Sequence, residues 1–496
     1  MKSSRRFIDL SSVCDWANDY LDAIRKLTYI AWLVIIVNGI TGFTSFSIDL
    51  DMMAFFKYQL DMTNKEAGAL FGAQGIPTML VGIIAGLLVD KLGVKVSLII
   101  GALSATLFGV QLALSDNKLS LELVVSFGLP FAGLMMALPL RIAAGRIVHR
   151  ATRALCFMLS YWSNNVGDVI AAFLNPLLVA SSGVGQFEKM FLMTSACHFA
   201  LALALMVLFK EPPVVVEVSQ LDDEGNPMKV YAREPLSTSS SEGSQNSDAE
   251  LESIVGETRA SKIIATTLMP IVNVAFSRSL WRCLILSFVF MWARMPFMHM
   301  MTIVPIYMQN LYGLDVNYSF AIATNPEILT VCLWLVSVRL SSVENKYSLM
   351  FAGTLFVALS PLPMVIWRGD SQWPVYLAIA LQTVGEMLFS PLLDMIVNEL
   401  APEEHKGLYG VLAGLPHVAG RLFAGIEAGY LLDTFCPSPI SDNYNHWSAW
   451  SCENLWIPVM LFALLTCLFL PIAQPFLESN TQGLICSRTD LDEQIN

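Results

Sequence analysis

Twelve runs of predominantly apolar residues recur along this chain, each close to the roughly 20 residues that a helix needs to cross a bilayer. Six precede a polar stretch near the middle: residues 27–48, 67–89, 96–114, 121–140, 154–181 and 190–209. Six follow it: 281–308, 318–338, 347–367, 373–397, 409–432 and 455–471. Only 14% of the 496 residues are charged, against about 25% in soluble domains. The pattern predicts an all-α membrane protein with twelve transmembrane helices in two six-helix halves.

The expected divisions are an N-terminal segment (1–26), a six-helix bundle (27–209), a linker (210–280), a second six-helix bundle (281–471) and a tail (472–496). Pro212-Pro213 and the tract STSSSEGSQNSDAELES leave the linker too polar to bury a core, so it is expected to be largely disordered. Residues 263–276 are apolar enough to return to a membrane surface.

Five bases fall in the loops of one side: Lys57, Lys65, Lys118, Lys189 and Arg368. Most of the others fall on the opposite side, so the positive-inside rule makes both termini cytoplasmic. The first 26 residues are polar and carry Lys2, Arg5, Arg6, Arg25 and Lys26, which is unlike a cleavable leader. The net charge of −12 lies largely in tails and loops, and no nucleic-acid partner is expected. The reading is an integral multi-pass protein whose partners are the lipid bilayer and a small-molecule solute. Whether the membrane is plasma or endolysosomal in type, and whether an accessory membrane subunit exists, stay open.

Charges inside the runs need a reason, because an ionisable side chain at a helix centre costs at least about 2.5–3.5 kcal/mol on insertion scales. Glu386 sits midway along the run 373–397, and counting helical rise places Asp168, Arg294, Glu327 and Arg421 at similar depth. These five are read as one cavity, with Asp168, Arg294, Glu327 and Arg421 as coupling groups and buried charge pairs. Three acids against two bases leave one negative charge, which desolvation favours neutralising with a proton. Glu327 is the first choice for that proton, with Arg294 as its exchange partner.

Polar groups cluster on two further helices. The fifth run holds Ser160, Tyr161, Ser163, Asn164, Asn165 and Asp168. On the first, Asn38, Thr41 and Ser45 share a face. Pro296, Pro326, Pro391 and Pro416 interrupt helices of the second half, freeing backbone groups toward a cavity.

The second run ends in Gly86-Leu87-Leu88-Val89-Asp90-Lys91-Leu92-Gly93-Val94-Lys95, which resembles the cytoplasmic loop signature of the major facilitator superfamily. The resemblance implies that fold, and it implies a role in conformational gating for Gly86, Asp90, Gly93 and Lys95. Three segments are similar to the proton-coupled oligopeptide transporter family: Tyr161 with Asn165-Val166-Gly167, Asn325-Pro326 with Leu333-Trp334, and Gly385-Glu386 with Ser390-Pro391, Leu400-Ala401-Pro402 and Gly407. That likeness implies a substrate site containing Tyr161, Asn165, Asn325 and Glu386, with the glutamate at the substrate's amino group; Asn38, on the polar face of the first helix, is expected to join it. The first helix lacks that family's Glu-x-x-Glu-Arg motif, and Leu138 precedes Pro139 where the family has lysine.

The functional expectation is a secondary active transporter of a small polar or zwitterionic solute, peptide-like or amino-acid-like, working by alternating access with proton-coupled symport. The alternatives are a proton-coupled exporter of drugs or organic cations, and a transporter-like receptor that moves nothing. No G-x-x-x-x-G-K-[ST] loop is present, which disfavours a primary pump. No metal constellation or nucleophile–base arrangement points to an enzyme, so no cofactor is expected and the proton is the expected coupling ion, with sodium left open. Five cysteines lie within apolar runs, whereas Cys436 and Cys452 fall in an outer loop on the oxidising side and are expected to form a disulfide.

Overall fold

The computed structural model describes residues 24–478, apart from 116, 148–152, 181–186, 213, 222–226, 235–275, 314–315, 341–344, 368, 370, 401–405 and 437–448. The first half contains α1 (Tyr29–Tyr58), α2 (Asn64–Ala73), α3 (Gly75–Leu114), α4 (Lys118–Ile147, with a π turn over Val124–Gly128), α5 (Arg153–Ala180) and α6 (Glu188–Leu208). The second contains α7 (Arg278–Thr302), α8 (Val304–Tyr312), α9 (Tyr318–Leu340), α10 (Lys346–Leu359), α11 (Leu362–Ile366), α12 (Trp373–Leu400), α13 (Lys406–Phe435) and α14 (Trp456–Glu478), the last preceded by a 3-10 turn. Six helical stretches among the described residues are long and apolar enough to cross a membrane: 29–58, 118–144, 188–208, 278–302, 346–366 and 452–477.

Local chemistry sets the helix ends. The Thr28 hydroxyl accepts from the Ala31 N–H to start α1, and Thr63 with Glu66 forms a reciprocal capping box on α2. Several expected boundaries move. The first helix runs to Tyr58 rather than Ile48, carrying Asp49 and Asp51 into the bundle, because Leu50, Met52, Met53, Phe55 and Phe56 continue the buried face. The first residues assigned to the tail, 472–478, belong to α14.

The linker also holds structure. Val214–Leu221 pairs antiparallel with Pro227–Glu234, Val214 opposite Glu234 and Leu221 opposite Pro227. A valine-rich run with β-branched residues favours a strand. Linker residues 213, 222–226 and 235–275 lie outside the described residues, and with them all of the segment 263–276 except Phe276, as do 1–23 and 479–496.

Let the near end be the one where α1 begins, and the far end the one where it finishes. At the near end each half has its own core. Leu27, Val89, Val94, Leu205 and Phe209 join in the first half, while Leu286, Met350, Phe389, Leu392 and Leu477 join in the second. Toward the far end one core spans both halves: Phe46, Leu50, Ala171 and Ala172 pack with Met300, Ile303, Val304 and Met308. Glycines close the same end. A methyl on Gly425 of α13 would stand 2.5 Å from the Gly72 nitrogen and 2.6 Å from the Gly68 oxygen of α2. Small residues permit this backbone approach, which in lipid gains dispersion contact rather than hydrophobic transfer energy. Among the described residues, the halves are joined at the far end and hold separate cores at the near end.

Candidate functional site

Four helices converge midway between the ends. α5 supplies Tyr161, Asn165 and Asp168; α9 supplies Asn325 and Glu327; α12 supplies Thr383 and Glu386; α13 supplies Arg421. Tyr161 and Glu386 meet across the two halves, the phenol donating to Oε1 at 3.0 Å. Asn325 donates to the other carboxylate oxygen at 2.9 Å and to the Thr383 hydroxyl at 3.0 Å. Donors from both halves therefore hold Glu386 with its two oxygens in fixed positions. Beside it, the Trp162 indole donates to the Thr330 carbonyl across the same seam at 2.9 Å.

Asn165 sits one turn beyond Tyr161 and donates to its carbonyl at 2.8 Å, so it shapes the helix rather than touching Glu386. Asn164 donates to Asp168 at 3.2 Å. Asn38 donates to the Val34 carbonyl of its own helix at 2.9 Å. α1 and α5 are pressed together because Gly39 and Gly167 meet backbone to backbone, leaving no room for a side chain between them.

Arg294 and Arg421 each find a polar partner. Arg294 donates to the Ser390 hydroxyl at 3.4 Å, and Glu327 stands half-buried on α9 apart from it. Arg421 reaches across to Asp49 of α1 at 3.5 Å, with its guanidinium 4.5 Å from the centre of the Phe71 ring. Such a pairing combines a charge contact with cation–π attraction.

Asp49, to which no role was assigned from the sequence, belongs to this site through Arg421 and its electrostatic contact with Asp168. Asp51, two residues on, is buried and takes hydrogen bonds from Tyr318 of the second half and Asn175 of the first, each at 2.8 Å. Two further contacts join the halves nearby: Tyr58 donates to Gln309 at 2.8 Å, and Asp433 accepts from Asn64 at 3.1 Å and pairs with Lys65 at 3.5 Å. The signal for Asp49 and Asp51 was acidic residues set within an apolar face.

At the near end, Gly93 breaks α3 with a φ of +80°, a conformation open to glycine and costly to other residues. The Glu211 carboxylate, following α6, accepts from the Val94 and Lys95 amides at 2.6 and 2.7 Å, while Lys95 Nζ donates to the Met206 carbonyl at 2.9 Å. An acid on the first amides of a helix satisfies orphan donors and the helix dipole. Gly86 lies buried on α3, and Asp90 is exposed one turn later. Glu211 was missed because its partners are more than a hundred residues earlier in the chain.

Cys436 and Cys452 are joined by a disulfide with their Cα atoms 4.4 Å apart, tying α13 to the turn before α14. Asn310 donates to the Cys436 carbonyl at 2.8 Å, anchoring that corner to α8. Among the described residues there is no cluster of three or more residues suited to a metal.

Comparison with known proteins gives a family and a fold. The Major Facilitator Superfamily profile matches residues 32–425. A Na(+), Li(+), K(+)/H(+) antiporter of Planococcus maritimus is 25% identical over 114 residues, a stretch that is 23% of this chain and 26% of that protein. Among solved structures, one from a study of substrate recognition in proton dependent oligopeptide transporters superposes with a TM-score of 0.65 at 14% identity, covering 90% of this chain and 98% of the other. A POT family transporter in complex with 5-aminolevulinic acid gives 0.63 at 14% identity, covering 90% and 96%. A POT family transporter in complex with a thioalcohol conjugated peptide gives 0.61 at 15% identity, covering 92% and 99%.

Proposed function

The chain belongs to the major facilitator superfamily as a multi-pass membrane transporter rather than an enzyme, and on that premise we propose that it moves a small amino-bearing, polar or zwitterionic solute by proton-coupled symport. The observation that carries the proposal is Glu386, a carboxylate at the seam held by Tyr161 from one half and Asn325 from the other. A solute's ammonium group would give it a charge-assisted partner stronger than either neutral donor. Because the site lies between the halves, rocking them would expose it first to one side and then to the other.

In this reading the near end is cytoplasmic, so the structure stands closed to the outside. Asn38 and Asn165 line the path beside Tyr161, Asn325 and Glu386. Asp168, Glu327 and Arg294 carry the charge balance that couples movement to protons, and Arg421 with Asp49 links the halves. Gly86, Asp90, Gly93 and Lys95 govern the near-end rearrangement. A half-buried carboxylate such as Glu327 suits proton exchange because it can reach water in one conformation and lose it in the other.

One observation favours a second reading, export of an organic cation. Asp49, Asp51, Asp168, Glu327, Glu386 and Glu427 outnumber Arg294 and Arg421 in the bundle, an excess of acid that suits a cationic solute. A thermal-shift screen of the purified protein over dipeptides, amino acids, organic anions and organic cations separates the two. A ligand that binds the folded state raises its melting temperature. Zwitterions as the stabilising class support symport of an amino-bearing solute; organic cations alone support export.

A further inference from the structure

His299 of α7 and Glu427 of α13 face each other inside the second half, Nε2 standing 3.4 Å from Oε2, with the imidazole fully buried and the Glu427 side chain 14% exposed, its two carboxylate oxygens buried. Neither ring nitrogen and neither carboxylate oxygen has a hydrogen-bond partner. Groups so buried are ordinarily paired. We propose that the two residues form a one-proton site, sealed in this conformation and reached by water when the halves part at the far end.

Charge counting supports one proton. With none, the pair is a buried anion; with two, a buried cation; with one, it is neutral overall, as imidazolium with carboxylate or imidazole with carboxylic acid. An unpaired charge is the state a low-dielectric interior disfavours most. A metal cation suits the place poorly, because hard cations seek about six oxygen ligands and the convergent donors are one carboxylate and one ring nitrogen.

Most of the charged neighbours have partners of their own. On α7, Arg294 donates to Ser390; on α13, Arg421 pairs with Asp49, and Asp433 with Asn64 and Lys65. On α12, Glu386 is held by Tyr161 and Asn325; on the turn before α14, Glu453 lies buried near Tyr307. α14 itself carries no charged residue before Glu478.

Position supplies the route. Glu427 lies six residues beyond Arg421, about 9 Å farther along α13 toward the far end. Met300, next to His299, packs into the core that Phe46 and Leu50 share with the second half. Parting the halves there would open the surface covering the pair. That the proton held here is moved together with solute rests on the transporter reading above.

The test needs no solute. Infrared pH-difference spectra of the purified full-length protein, recorded in H2O and D2O, follow the imidazole and carboxyl bands of wild type, Glu427→Gln and His299→Gln. The expected result is a coupled pair of bands in wild type, with either substitution abolishing the other residue's contribution, and deuterium exchange at least about tenfold faster in Gly425→Val or Tyr318→Phe, which weaken far-end closure. An imidazole signal unmoved by Glu427→Gln, or wild-type exchange as fast as in both opened variants, overturns the proposal. Either failure leaves solute transport untouched, whereas an absence of solute exchange by wild-type vesicles would sink the transporter reading and spare the proton site.

Discussion

The Tyr161 hydroxyl, in the first half, donates to Glu386 Oε1, in the second, at 3.0 Å. Removing one donor to a carboxylate costs about 1.5–3 kcal/mol at most, and the solute can restore part of that. Tyr161→Phe should weaken solute binding by about tenfold or less, measured as Kd by calorimetry on the hit class from the thermal screen. A loss equal to that of Glu386→Gln would mean that the phenol itself contacts the solute.

Tyr318 and Asp51 close the far end with a buried hydrogen bond between halves. Tyr318→Phe should shift the empty protein toward a far-end-open population, with an upper bound of about 1.5–3 kcal/mol. Spin labels on the far ends of α2 and α9 report this as a longer distance component. An unchanged distance distribution would remove this contact from the gate.

Gly93 and Glu211 make a rigid corner at the near end. Gly93→Ala would put a methyl 2.7 Å from Glu211 Oε1 at a φ of +80°, a strain on the order of 1–3 kcal/mol. Glu211→Gln should cost about 0.5–2 kcal/mol through the weakened cap. Both should lower the melting temperature and slow turnover while leaving solute Kd within about threefold, a change under about 0.7 kcal/mol. A selective collapse of affinity would contradict this assignment.

The disulfide closes a loop with a sequence separation of 16 residues between Cys436 and Cys452. Loops of that size gain about 3 kcal/mol from cross-linking. The double variant Cys436→Ser/Cys452→Ser should melt lower than wild type, and reductant should lower wild type toward it without affecting the variant. Equal melting temperatures with and without reductant would show that the bridge adds nothing.

Much of this architecture was legible because lipid imposes a simple rule: spans must be apolar and about 20 residues long. Glu386 stood out for the same reason, as did its neighbours Tyr161 and Asn325. Asp49 and Asp51 were harder to see. They follow the run that looked like a complete first helix, and only burial of Leu50, Met53 and Phe56 shows that the helix continues. Pair identities were harder still. Arg294 meets Ser390, and Glu211 meets amides on another helix, because rotation about each helix axis is set by packing and not by depth. The linker hairpin had a local signal in Val214, Val215, Val216 and Val218, outweighed by the polar composition around it.

The role assigned to Glu386 is to bind the amino group of a solute carried with protons. Accumulation of the labelled hit solute in proteoliposomes under an imposed pH gradient, wild type against Glu386→Gln, tests it most directly. Loss of a charge-assisted bond worth about 1.5–3 kcal/mol corresponds to roughly tenfold to a hundredfold in affinity. Wild type should concentrate the solute, and Glu386→Gln should need at least about tenfold more to reach the same rate. Equal affinity in the two proteins, or wild-type accumulation that ignores the pH gradient and follows sodium, would contradict it.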